Sequence, residues 1–339
     1  MTFLSSLRDP MIYGHAVGRI RVRENKLLTR QRINRLIEAA DLEEQLQILA
    51  DSQYGEFLEG AKTSEGVEQA LENFLAGVYD FLQEICPNKD IVTFLRLKYD
   101  FHNLKVLLKT KYQGESAEHV WSKMGFLDVK TAERVIAEER YDKLPEIYRP
   151  AVAKAAADFE EFHDAQEIDI TLDQGLYHEW LNLARSIKND YVEALARSSV
   201  DIANLKTFFR AKNLRRKKEF ADKAIFAGGF IERKRLVDLF MRPLTELVTA
   251  LRVSRYGDIL SEVVEGEEKA NLALFDKLAD NYLLLLAKKA KYIAVGMEPL
   301  FGYIFAIENE VTVVRSALLG KLSGIPKATI KERVRELYV

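Results

Sequence analysis

A segment of about eleven residues occurs three times in the chain, at intervals of about one hundred residues. The copies lie at residues 99–109, 200–210 and, in a looser form, 307–315. In each copy an Asn precedes a basic residue by six positions, and the pairs are Asn103 and Lys109, Asn204 and Arg210, and Asn309 and Arg315. Repeated units bury their apolar faces against one another, which is typical of a scaffold, a ring or an array.

A second short module recurs with the same period. Its four copies are residues 28–36, 127–135, 231–239 and 326–334, so the intervals are 99, 104 and 95 residues. Gly125 and Gly324 each stand eight positions before a Glu-Arg-Val sequence. Four copies enclose three intervals. We therefore predict three helical repeat domains at residues 1–112, 113–213 and 214–339, the last with a terminal half-repeat.

The composition and the apolar spacing predict an all-α fold. The chain has only 17 Gly and 7 Pro among 339 residues, and helix-forming residues dominate. Apolar residues recur at helical spacing between Leu71 and Leu82, whereas sustained alternation is hard to find, so we expect essentially no sheet. Helix starts are expected at Thr29, Asp41 and Thr63, which are suitable capping residues.

Charge, cysteine content and hydropathy exclude several classes of protein. The 50 basic and 52 acidic residues leave a net charge of −2, without the basic excess that a dedicated nucleic-acid binder usually carries. The single Cys86 cannot form an internal disulfide, which indicates a reducing compartment. We find no signal peptide, and the most apolar stretch, residues 292–307, contains Glu298 and is too short to span a bilayer.

No catalytic, cofactor-binding or metal-binding residue is predicted. The only Gly-Lys pair, at Gly320, lacks the rest of a phosphate-binding loop, and one cysteine excludes a multi-cysteine zinc site. A di-metal helical bundle needs two Glu-x-x-His pairs, but only Glu160 and His163 form one. We interpret residues 160–164 as a solvated acidic face.

The repeated polar residues have a structural and a functional interpretation. Each Asn could bond a neighbouring loop backbone while each basic side chain pairs with a carboxylate. Alternatively, three equivalent helices line an opening and present Lys109, Arg210 and Arg315 to a partner. The one basic cluster has the same two interpretations, a solvated helix end or a docking patch for an acidic partner or lipid head groups; it comprises Arg210, Lys212, Arg215, Arg216, Lys217 and Lys218.

The chain resembles a known family over essentially its whole length. Residues 13–23, 27–29, 98–111, 201–212 and 301–315 are similar to the C subunit of prokaryotic V/A-type ATPases, the counterpart of the d subunit of the eukaryotic vacuolar ATPase. The third repeat departs most from the pattern, because Glu310 stands where Leu104 and Leu205 stand.

The resemblance implies a fold, partners and a location. Members are all-helical funnels of three similar domains around a pseudo-threefold axis, with no hydrolytic activity or cofactor of their own. They join the central stalk, made of the D and F subunits, to the proteolipid rotor ring on the cytoplasmic face of the membrane. The chain would then be a single copy in a hetero-oligomeric complex that links ATP hydrolysis or synthesis to proton or sodium transport, touching the membrane only through the ring.

Two other functions stay open from the residues alone. One is an unrelated helical-repeat adaptor that binds another partner in a concave groove, and the other is an all-α enzyme with a carboxylate or metal site. Residues 53–58, 223–230 and 255–258 are expected to form loops available for contacts with partners.

Overall fold

The computed structural model describes residues 9–114 and 121–339, and within them it confirms the all-α prediction. The only strands in this part of the chain are two antiparallel strands of two residues each, around a turn at Gly266. The helices and strands are α1 (Gly14–Glu24), α2 (Arg30–Glu38), α3 (Leu42–Leu49), α4 (Gly55–Leu58), α5 (Ser64–Ile85), α6 (Lys89–Gln113), α7 (Val129–Ala137), α8 (Arg149–Phe162), α9 (Ala165–Ile187), α10 (Asp190–Asn213), α11 (Lys218–Ala224), α12 (Arg233–Leu239), α13 (Leu244–Leu251), α14 (Gly257–Val263), β1 (Val264–Glu265), β2 (Lys269–Ala270), α15 (Leu272–Lys289), α16 (Glu298–Leu322) and α17 (Lys327–Arg333).

The three predicted helix starts are confirmed. The side chains of Thr29, Asp41 and Thr63 are the N-caps of α2, α3 and α5, and each accepts a hydrogen bond from a backbone N–H in the first turn. At α3 the Glu44 carboxylate also accepts from the N–H of Ala40, the residue before the N-cap, at 2.6 Å. Local sequence therefore fixes where these helices begin.

The recurring module has one structure in all four places. Each copy consists of one or two residues of lead-in followed by a short helix, which are α2, α7, α12 and α17. The repeat segments lie inside the long helices α6, α10 and α16. In each period seen in the sequence, a long helix is therefore followed further along the chain by the short helix of a module.

One compact unit is built from both ends of the chain. It contains residues 9–89 and 248–339, and its central helix α16 packs against α1, α5 and α15. Phe301, Ile304 and Ile307 on α16 are fully buried. The C-terminal helices thus form a common core with the N-terminal ones.

The second compact unit is continuous and contains residues 90–114 and 121–247 of the described chain. Helix α9 packs against α8 and α10. The Trp180 indole stacks on the Phe94 ring at 5.1 Å between centroids, and its N–H donates to the Phe94 carbonyl at 2.6 Å. The finer division into three domains and the threefold funnel stay predictions.

The expected partner-facing loops are partly helical. Residues 55–58 form α4, Gly257 begins α14, and α11 extends to Ala224, so only residues 225–232 form a continuous loop. Across residues 9–114 and 121–339, no helix has the length and apolar content that crossing a bilayer requires.

Candidate functional site

The repeated Asn residues bond backbone groups of neighbouring segments. The Asn103 amide donates to the Ser122 carbonyl at 2.9 Å and accepts from its N–H at 2.8 Å. Asn204 holds Phe226 in the same two-bond arrangement, with both distances at 2.9 Å. This is the geometry that the structural interpretation describes, and it pins a loop against each long helix.

Asn309 departs from this arrangement. Its amide donates to the Glu336 carbonyl at 2.6 Å, but its side-chain oxygen has no hydrogen-bond partner among the described residues. The Glu336 N–H bonds the Asn281 side chain instead, at 2.8 Å. Glu336 in the C-terminal tail is therefore held by two different helices, through Asn309 on α16 and Asn281 on α15.

A buried aspartate lies one turn before each of the first two Asn residues. Asp100 accepts from Leu127 N–H at 2.7 Å and from the Tyr148 hydroxyl at 2.7 Å. Asp201 accepts from Ile231 N–H at 3.0 Å and from Phe230 N–H at 2.8 Å. Leu127 and Ile231 are the first residues of the recurring module. We call a buried carboxylate on a long helix, bonded to the first N–H of a module, a carboxylate clamp.

The two aspartate clamps require glycine beside them. A Cβ on Gly125 would lie 2.3 Å from Asp100 Oδ1, and one on Gly229 would lie 2.0 Å from Asp201 Oδ1. Both glycines stand two residues before the module. Burial raises the pKa of Asp100, against hydrogen bonds that favour its charged form.

The third clamp is built from Glu310 on α16 and joins the two ends of the chain. Its carboxylate accepts from Leu28 N–H at 2.6 Å, from the Tyr54 hydroxyl at 2.8 Å and from the Gln53 amide at 3.0 Å. Leu28 is the first residue of the first module, as Leu127 and Ile231 are of theirs. Burial raises the pKa of Glu310 to about 7, although these hydrogen bonds and the charge of Arg32 favour the ionised form.

The basic residues of the repeats have different environments. Lys109 pairs with Asp169 at 2.7 Å and Arg315 pairs with Glu68 at 2.8 Å, and all four side chains are partly exposed. Arg210 is exposed and has no ion pair with a residue that the structure describes. Two of the three basic positions are thus already paired within the chain.

The basic cluster lies at the exposed C-terminal end of α10 and the start of α11. Arg215 has a left-handed backbone with φ of 53°, and Arg216 stacks over the Phe220 ring. Leu214, beside them, has 68 % of its surface exposed. The solvent-facing members of the cluster are Arg210, Arg215, Arg216, Lys217 and Lys218.

A groove of about 1070 Å³ lies between α1 and α5 and is completed by the loops before α2 and α4. Its apolar lining includes Val22, Phe57, Phe74 and Phe81. Four cationic side chains also line it, and these are Arg19, Arg23, Lys26 and Arg32. Among the described residues, no group of three or more His, Cys, Asp or Glu side chains is arranged to hold a metal ion.

Comparison with known proteins identifies the family. The model of the ATP synthase (C/AC39) subunit family matches residues 16–333. The chain belongs to that family.

Relatives within the C/AC39 family align along nearly their whole length. The C subunit of the V-type sodium ATPase of Enterococcus hirae is 25 % identical over 321 residues, covering 94 % of this chain and 97 % of the relative. The C subunit of the A-type ATP synthase of Methanocaldococcus jannaschii is 25 % identical over 352 residues, covering 96 % and 86 %. That of a Desulfurococcus species is 27 % identical over 342 residues, covering 96 % and 91 %.

The sequence interpretation missed the carboxylate clamps of this C/AC39 chain. Asp100 and Asp201 stand at the same place in their copies, three residues before the Asn, so the signal was present in the sequence. Glu310 carried no such signal, because alignment of the copies placed it opposite leucines.

A further repeat was also missed. Ser52, Tyr54 and Gly55 match Ser254, Tyr256 and Gly257 in order and spacing. In both places the serine hydroxyl accepts from the tyrosine N–H at 3.2 Å. A Cβ on either glycine would collide with a backbone carbonyl, at 2.1 Å for Gly55 and 2.2 Å for Gly257.

Proposed function

We propose that this chain is the non-catalytic protein that couples the central stalk, made of the D and F subunits, to the proteolipid rotor ring of a V/A-type ATPase. The observation that carries the proposal is the family match over residues 16–333, with relatives named as C subunits of a sodium ATPase and of ATP synthases. The chain then works as one copy in a hetero-oligomeric complex at the cytoplasmic side of the membrane. ATP hydrolysis or synthesis elsewhere in the complex drives, or is driven by, proton or sodium transport.

The internal bonding suits a part that transmits torque. A coupling body must move as one piece, and close-packed helices resist deformation. The clamps add buried hydrogen bonds between each long helix and the start of a short helix, where a sliding contact would otherwise be possible. Asp100, Asp201 and Glu310 are all at most 3 % exposed, so water does not compete for these bonds.

The location of the partner contacts is part of the proposal. We assign the stalk and ring contacts to the exposed basic positions, because they can pair with carboxylates of another protein of the complex. Arg210 and its neighbours Arg215, Arg216, Lys217 and Lys218 come first, since all five are exposed, whereas Lys109 and Arg315 are only partly exposed and pair with Asp169 and Glu68. We also retain the three-domain funnel as the proposed frame for these contacts.

Co-purification tests the proposal directly. The purified chain is mixed with the D–F stalk pair and, separately, with the detergent-solubilised ring, and bound complexes are quantified by size-exclusion chromatography with light scattering. We expect one copy of the chain in each complex, and loss of ATP-driven ion pumping when the chain is omitted from a reconstituted enzyme. The doubly substituted Arg215→Glu, Arg216→Glu chain should bind one partner more weakly.

Two results would overturn the proposal. One is a wild-type chain that binds neither the stalk pair nor the ring, and the other is a stalk and ring that associate tightly without it. Unchanged binding by the double variant at physiological salt would show that the basic cluster is only a solvated helix end.

A further inference from the structure

The groove between α1 and α5 has an apolar surface that the chain itself leaves uncovered. Val22 on α1 is 63 % exposed and Phe57 on α4 is 40 % exposed, and both line the groove. Beneath them, Phe74 and Phe81 of α5 form an aromatic floor, and the Phe57 and Phe74 rings meet edge to face at 5.5 Å. Exposed apolar area of this kind, rimmed by charge, is typical of a protein-binding surface.

Charge gives the groove a preference for acidic ligands. Four cations, Arg19, Arg23, Lys26 and Arg32, line it against two carboxylates, those of Asp51 and Glu56. Asp51 is already paired with Arg32, and Arg19 is paired with Glu84 at 2.6 Å. Arg23 and Lys26 are the cations of the groove that have no ion pair among the described residues. A guanidinium has five N–H donors and matches a carboxylate edge to edge, so these residues can accept an acidic partner.

Two of the arginines are held in place by the aromatic floor. The guanidinium carbon of Arg23 lies 3.7 Å from the Phe81 ring centroid, and that of Arg19 lies 4.9 Å from the same ring. Stacked cations lose less conformational entropy on binding than mobile ones do. Lys26 is exposed and, like Arg23, has no ion pair among the described residues.

Gly77 supplies an independent observation. It lies in the interior of α5, a 22-residue helix, and lines the groove, and a Cβ there would have no atom within 4 Å. An interior glycine costs a helix about 0.5–1 kcal/mol relative to alanine. At Gly77 the groove is open down to the α5 backbone, so a ligand in the groove can approach that backbone closely.

We infer that the groove between α1 and α5 binds an acidic, amphipathic segment of another protein of the complex. Its apolar side chains would lie on Val22, Phe57 and the α5 backbone at Gly77, and its carboxylates would pair with Arg23 and Lys26. The inference rests on the proposed function for the identity of the assembly, and it adds a specific surface and the chemistry of the segment that occupies it.

Two substitutions test the inference through different properties of the groove. Gly77→Leu fills the groove with a side chain that the structure has space for, and Lys26→Glu reverses a charge at its rim. Binding of each variant to the D–F stalk pair and to the solubilised ring is measured by titration at low and physiological salt. We expect both variants to bind the same one of the two partners at least tenfold more weakly than wild type.

Matched controls separate the groove from general effects on the fold. Gly18→Leu makes the same change in α1, where a Cβ also has no atom within 4 Å, but Gly18 does not line the groove. Lys62→Glu makes the same charge reversal at another exposed lysine of the same unit. We expect both controls to bind within twofold of wild type and all four variants to melt as cooperatively as wild type.

Each contrary outcome has a distinct meaning. A wild-type chain that binds neither partner refutes the proposed function, whatever the variants do. If wild type binds a partner and Gly77→Leu binds that partner as tightly as wild type does, the groove is not an interface and the inference fails. If Gly77→Leu loses binding and Lys26→Glu does not, the ligand is not an acidic segment, and the inference fails in its chemistry.

Discussion

At the scale of single residues, the third clamp makes the same bond to the first N–H of a module with a different residue at a different position of the helix. Ala306 stands where Asp100 and Asp201 stand in the other copies, and Lys26 stands where Gly125 and Gly229 stand. The carboxylate moves one helical turn along, to Glu310, whose extra methylene lets it reach Leu28 N–H. Because residue 306 is an alanine, no carboxylate lies close to position 26. A residue with a side chain, Lys26, therefore fits where the other two copies need glycine.

Glu310 gives the fold a definite dependence on pH. Burial raises its pKa in the folded chain to about 7 from an ordinary 4.5. The folded state therefore holds a proton that the unfolded state has released between these values, so the free energy of unfolding falls as pH rises from 4.5 to 7. This group alone should lower that free energy by about 3 kcal/mol over the interval.

Glu310→Gln should remove this dependence. Gln is the same size, its oxygen can accept from Leu28 N–H and its amide can donate to the Tyr54 oxygen. In urea denaturation, the stability of the variant relative to wild type should increase by about 3 kcal/mol between pH 4.5 and pH 8. The exposed Glu332→Gln makes the same charge change and should leave the wild-type dependence intact. Equal pH slopes for all three chains would show that Glu310 is ionised in both states.

At the scale of elements, local sequence signals were sufficient to predict where helices begin, but they did not predict contacts between distant parts of the chain. Helix starts at Thr29, Asp41 and Thr63 depend on bonds within a single turn, and the sequence predicted them. The Glu310 clamp joins residues 282 positions apart and depends on packing that no local pattern encodes. Asp100 and Asp201 are an intermediate case. They recur at the same position of their copies, but their role is clear only once the structure shows the modules whose N–H groups they bond.

The glycine pattern was partly misread for the same reason. Gly125 was matched with Gly324 on spacing, but a Cβ on Gly324 would meet nothing within 4 Å, and its backbone has φ of 66° at the end of α16. The counterpart of Gly125 is Gly229, since both lie against a clamp aspartate. One glycine pattern thus contained two physical requirements, a helix end and a close approach.

Replacing a clamp glycine should therefore destabilise the chain. In Gly229→Ala the new methyl would lie 2.0 Å from Asp201 Oδ1, and that carboxylate cannot move away without breaking its bonds to Phe230 and Ile231. We expect a loss of about 1–3 kcal/mol in the free energy of unfolding, measured by chemical denaturation.

A matched alanine substitution isolates the cause. Gly18→Ala places its methyl in open space within α1 and should raise stability by about 0.5–1 kcal/mol. A Gly229→Ala chain as stable as wild type would mean that the Asp201 carboxylate can shift away from the new methyl group without a loss of stability. Equal losses in both variants would point to helix or loop backbone effects instead of the carboxylate contact.

At the scale of the whole molecule, the unit built from both chain ends depends on its last residues. Ile330, Val334, Leu337 and Tyr338 are all at most 7 % exposed, and the Tyr338 hydroxyl donates to Glu24 on α1 at 3.1 Å. Burying four such side chains contributes about 6 kcal/mol or more, which is comparable to the whole stability of a domain.

Deleting residues 326–339 should therefore unfold or loosen one unit and spare the other. Amide hydrogen exchange should show protection lost in α1, α2 and α5, which share the core with the deleted segment, while α8, α9 and α10 keep theirs because residues 90–247 form a continuous unit. Deletion of Val339 alone, which is 51 % exposed, controls for a changed terminus and should leave exchange unaltered.

Equal loss of protection in both sets of helices would mean that the chain unfolds as a single cooperative body, so that a disturbance at the C-terminus reaches α10 as readily as α1. Unchanged protection throughout would mean that α1, α2 and α5 keep their core with α16 without the deleted residues.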